Sequence, residues 1–133
     1  MNKIVISLVS IMVFISCANT KTLRSLENNP ISPDLSTSQI EKVILKSGAS
    51  HGWTVAKSKT EPHSYLAKLF VRSHYLEVLI TVEKNSYSVT YNDSKELKYN
   101  SIQNTIHRNY YRWVTIFIND INKNLSIAES LAK

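Results

Sequence analysis

The side chains in this 133-residue sequence that could do chemistry fall into a few groups, and each can be tested by spacing alone. Ser94, with Asp93 beside it and His74 or His107 elsewhere, supplies the types of a nucleophile, an orienting acid and a base. No Gly-x-Ser-x-Gly turn or glycine-rich oxyanion loop accompanies them, since the two glycines are Gly48 and Gly52. Asp93-Ser94 is better suited to closing a loop through side-chain to backbone bonds. His51, His63, His74 and His107 are 12, 11 and 33 residues apart, so no two occupy the i, i+4 positions of a helical metal site. Glu61, Glu77, Glu83 and Asp93 show no grouping suited to glycoside cleavage, which needs two carboxyl groups within roughly 10 Å. The single cysteine, Cys17, excludes an intramolecular disulfide framework and a CxxC metal site. The expectation is therefore no catalytic residue, no metal and no cofactor. Arg72, His74, Asp93, Ser94, His107 and Arg108 remain as a candidate structural or binding cluster.

The elements that position these residues follow from periodicity. Ser36 and Gln39 have capping-box spacing, and Ile40, Val43 and Ile44 then share a face up to Gly48, which predicts a helix over 36–47. Four alternating segments follow, around Trp53–Lys57, Tyr65–Val71, Leu76–Val82 and Tyr87–Tyr91, and their short connections predict an antiparallel meander. Ile106, Tyr110, Trp113, Val114, Phe117, Ile121 and Leu125 form a helical stripe that Asn104 could cap. The expected fold class is α+β in the order α-β-β-β-β-α, a four-stranded sheet with two helices on one face. The other face, with Lys68, Arg72, Glu77, Thr81, Ser88 and Thr90, is expected to stay open. With the second helix across the sheet, Asp93 is expected to pair with Arg72 or His107 and fix the 92–104 loop.

Sixteen Lys and Arg against ten Asp and Glu give a net charge of +6, and 43% apolar residues exclude a low-complexity or wholly disordered chain. Tyr99, His107, Arg108, Tyr110, Tyr111, Arg112 and Trp113 combine aromatic faces with positive charge, a pattern that single-strand nucleic-acid binders use. An exported chain seldom meets nucleic acid, so none is expected as a partner. The same charge suits anionic lipid headgroups, phosphorylated glycolipid or acidic cell-wall polymer.

Export is read from the N-terminus. Lys3 precedes a 12-residue apolar run, Ile4 to Ile15, broken only by Ser7 and Ser10. In a helix that run rises about 18 Å, short of a hydrocarbon core of roughly 30 Å, and it matches a secretory signal peptide. The run ends at Phe14-Ile15-Ser16-Cys17, which resembles the lipobox of bacterial lipoproteins. The resemblance implies cleavage between Ser16 and Cys17 and acylation of Cys17, with Phe14 standing where Leu is commonest. Acyl chains anchor a protein to a membrane without spanning it. Ala18 resembles the outer-membrane sorting pattern, which implies a cell-envelope location facing the periplasm. The domain reading is a signal peptide over 1–16, a lipidated cysteine and flexible tether over 17–35, one α+β domain over 36–127 and a tail over 128–133. As coil, residues 18–33 would reach on the order of 20 Å.

Three further clusters carry a second resemblance: Gly52-Trp53 with Arg72-Ser73-His74, then Tyr91 to Tyr99, then Ile106 to Trp113. Over about 36–125 the chain resembles a family of small, uncharacterised bacterial lipoproteins, for which no functional residue is established. Its element order also resembles the helix-grip modules of the lipoprotein subunit of the β-barrel assembly machine, a likeness of topology alone. These resemblances imply a non-catalytic envelope binding or assembly-accessory protein, with the membrane and an envelope protein as partners. The alternative is an enzyme or carrier acting on envelope lipid or glycan through the Arg72/His74/Asp93/His107 region.

Overall fold

The computed structural model describes residues 19–133, so the signal segment, Cys17 and Ala18 lie outside the described residues. In chain order the elements are β1 (Thr20–Thr22), β2 (Leu26–Pro30), α1 (Thr37–Lys46), a 3-10 turn (Ala49–His51), β3 (Trp53–Lys57), β4 (Ser64–Val71), β5 (His74–Val82), β6 (Ser86–Lys95), β7 (Thr105–His107) and α2 (Asn109–Leu131). The fold is mixed α+β. Strands β3 to β6 form the expected antiparallel meander, and β2 joins it beside β6 to give the order β2-β6-β5-β4-β3. A separate two-stranded sheet pairs β1 with β7.

Helix α1 begins with the capping box its spacing predicts. The Gln39 N–H donates to Ser36 Oγ at 3.2 Å, and the Ser36 N–H donates to Gln39 Oε1 at 2.8 Å. The chain then turns at Gly48, whose φ of 80° is one that residues with a Cβ rarely adopt. A Cβ there would also lie 2.7 Å from Trp53 Cβ and from Phe117 Cε2. That contact is close because Trp53 and Phe117 stack at 4.6 Å, joining β3 to α2. One face of the sheet (Ala67, Leu69, Leu76, Val78, Ile80, Val89) is buried against Ile44 of α1 and Tyr110, Val114, Phe117 and Ile121 of α2. The Tyr87 hydroxyl donates to Asn122 Oδ1 at 2.5 Å, a second tie between sheet and helix.

Three expectations are corrected. The segment read as a flexible tether over 17–35 instead contributes β1 and β2 from Thr20 onward, and its Ile31 and Leu35 enter the core at 4% and 8% exposure. Strands of three and five residues, the second with a register shift and Asn28 at φ 59°, are too short and irregular to show period two. Helix α2 starts at Asn109 rather than near Asn104, because residues 105–107 pair with β1. Ile106 and Tyr110 are both fully buried and four apart, so the helical spacing extends through a residue that belongs to a strand. At the other end α2 continues to Leu131, through most of the expected tail over 128–133.

Candidate functional site

The six candidate residues lie around the β4–β5 hairpin, the end of β6 and the start of α2. Arg72 and Ser73 form a two-residue turn that lets Val71 pair with His74. Arg72 supplies the positive φ, 56°, that such tight hairpins require. His74 Nδ1 bonds the Glu96 carbonyl at 2.7 Å, and its ring lies 5.9 Å from that of Trp113. Ser94 Oγ shares a 2.7 Å bond with the Tyr91 hydroxyl. Asp93 Oδ1 accepts from the Ser94 N–H at 2.8 Å, a local bond of the loop-closing kind. His107 Nδ1 accepts from the Asn109 N–H at 3.1 Å, next to the first turn of α2.

These bonds separate the residues that a nucleophilic site would need together. Asp93 lies opposite Glu77 and Ser94 opposite Leu76, so the two neighbours face opposite sides of the sheet. The expected pairing of Asp93 with Arg72 or His107 does not form: the ion pairs among the described residues are His51–Asp120, Lys57–Glu41, Lys68–Glu77 and Lys133–Glu129. A bulge at Asn92 explains this, because it re-aims the end of β6 so that Asp93 sits exposed beside Glu77. Among the described residues no bond joins Ser94 to either histidine, and no three His, Cys, Asp or Glu are grouped to hold a metal ion. No helix among them is long and apolar enough to cross a membrane.

Two surfaces stand out instead. The first is the sheet face turned away from the helices. Leu66 and Leu79 pair across β4 and β5 and are half-buried, with Ala56 next to Leu66 on β3. Beside them Lys68 Nζ lies 3.4 Å from Glu77 Oε1, and Asn92 Nδ2 donates to Glu77 Oε2 at 2.5 Å. At the hairpin end Phe70 is 71% exposed, its ring 4.8 Å from that of Tyr75.

The second surface is basic. Lys21 of β1 and Arg108 and Arg112 at the start of α2 line an open groove of about 650 Å³ with Tyr111, Thr115 and Ile116. Burial pushes the His107 imidazole below its ordinary pKa, and the positive charges of Lys98, Arg108 and His74 push it further the same way. Sequence reasoning missed Lys21 and Lys98. Lys21 belonged to the supposed tether, and only its register opposite Ile106 brings it to this end. No protein-family model, curated protein or solved structure matches this chain.

Proposed function

We propose that this chain is a membrane-anchored bacterial envelope lipoprotein, acylated at Cys17, whose domain is a non-catalytic binding or assembly-accessory module facing the periplasm. The observation that carries the reading is the uncovered sheet face. Leu66 with Leu79 and Phe70 with Tyr75 form two apolar pairs on that face, with the Lys68–Glu77 ion pair between them, a mixture of apolar and polar groups of the kind protein interfaces use. The assignment to binding rather than catalysis is supported by His74, Ser94 and His107 each being engaged in a bond that closes the fold. The anchor rests on the lipobox-like residues 14–17.

The test is photo-crosslinking in intact envelopes, with the crosslinker replacing Lys68 and, in a second variant, Ser88. A single stoichiometric protein partner is expected. Crosslinks to lipid or glycan alone would overturn the reading and turn attention to the Arg72/His107 region.

A further inference from the structure

The start of the described chain and the basic groove are the same place. The Arg108 N–H donates to the Asn19 carbonyl at 2.7 Å. Thr20, Lys21 and Thr22 then pair with His107, Ile106 and Thr105. The Leu23 N–H donates to the Asn104 carbonyl at 2.8 Å, and Tyr111 closes the segment by donating to the Thr22 carbonyl at 2.5 Å. Cys17 is two peptide bonds before Asn19, and two residues of chain reach at most about 7.6 Å. An acyl anchor on Cys17 would therefore hold this end of the domain, and no other, against the bilayer.

The charge at that end matches such a surface. Lys21, Arg108 and Arg112 line the groove, the Arg24 N–H bonds the Tyr111 hydroxyl, Lys98 is close enough to His107 to act on it, and none of the five pairs with a carboxylate among the described residues. Arg108 and Arg112 are like charges one helical turn apart at the positive end of the α2 dipole, and the first turn holds no acidic residue. Within the fold this arrangement is unfavourable twice over. An anionic surface relieves both terms.

We propose that this end of the domain is a membrane-docking face, with Lys21, Arg108 and Arg112 seated on anionic lipid headgroups. The proposal rests on the anchoring at Cys17 put forward above. Because α2 covers the other side of the sheet, docking here leaves the Leu66/Phe70 face free to bind a partner. The anchor and the patch act together, a lipid chain plus a basic cluster being the two signals that stable membrane attachment takes.

The test uses the full chain on vesicles of phosphatidylcholine, with or without phosphatidylglycerol, carrying a headgroup quencher. A genetically encoded fluorescent residue replaces Thr115 in the groove or Thr54 on the open sheet face, which leaves Cys17 untouched. On the anionic vesicles, quenching at Thr115 and little at Thr54 is expected. The preference should weaken in about 1 M salt, where the screening length is about 3 Å, to what the anchor alone gives. In the Arg108→Glu/Arg112→Glu variant the docking equilibrium constant should fall by at least about 25-fold, each of the two lost cations being worth about fivefold at such a surface. Equal quenching at both positions would overturn the proposal, as would a Thr115 preference that is as strong on phosphatidylcholine alone and in the charge-reversed variant as on the anionic vesicles. So would a Thr115 probe that responds to soluble polyphosphate and not to the vesicles. The mass of the Cys17 peptide reads the anchor separately. An unmodified Cys17 with Thr115 still selectively quenched removes the anchor and keeps the face, whereas a lipidated Cys17 with equal quenching does the reverse.

Discussion

His107 shows how one side chain reports its surroundings. Burial disfavours its charged form, protonation also adds charge beside Lys98 and Arg108, and Nδ1 accepts the Asn109 N–H only while that nitrogen carries no proton. The folded pKa is therefore below the unfolded one, which is about 6.5, and at acid pH the unfolded chain binds more protons. Stability from this group is intact above about pH 6.5 and declines as pH falls from there toward the folded pKa. His107→Asn keeps an acceptor without a titrating group, so its melting temperature should fall less than that of the parent chain between about pH 7.5 and 5.5. Equal losses in the two proteins would contradict this. Gly48 is the other residue that decides locally. Its positive φ and the 2.7 Å approach to Trp53 and Phe117 leave no room for a methyl group, so Gly48→Ala should cost about 2–4 kcal/mol in denaturant unfolding.

Among the elements, legibility followed length. The start of α1 is readable from its capping-box pair, and the meander from β3 to β6 and the body of α2 because each repeats its period several times. β1 and β7 were not, since three residues hold no period and their pairing joins segments 85 positions apart, as Lys21 and Ile106 are. The candidate cluster was readable as residue types but not as an arrangement. The bulge at Asn92 that turns Asp93 away from His74 has no sequence signature of its own. The β1 segment is held on its helix side by Tyr111, whose hydroxyl donates to the Thr22 carbonyl and accepts from the Arg24 N–H at 2.8 Å. Tyr111→Phe removes both bonds, at about 1–1.5 kcal/mol. Amide exchange over residues 20–24 should speed up about tenfold while the central strands keep their protection. Uniform acceleration across the sheet would instead mean that the segment opens only with the whole domain.

At the scale of the whole molecule, the core and the two surfaces are separable. Both helices pack an apolar face against one side of the sheet, and Phe70 lies on the other, at 71% exposure. Phe70→Ser should therefore lower unfolding free energy by no more than about 1.5 kcal/mol, the worth of its cross-strand ring pair with Tyr75. The same substitution should abolish the protein crosslink from Lys68. A variant that unfolds early, or that crosslinks as before, would mean that Phe70 serves the fold or nothing at all.

The clasp on the N-terminal segment also has a mechanical consequence. Its contacts are arranged in series from the chain start: Asn19 to Arg108, Thr20 to His107, Lys21 to Ile106, Thr22 to Thr105, Leu23 to Asn104. A pull applied ahead of residue 19 loads these one at a time, as a zipper opens, and reaches the five-stranded sheet only after the last has parted. Peeling residues 19–25 pays out about 24 Å of chain. Tension on the N-terminal side would thus draw on this short length of slack before the five-stranded sheet takes the load.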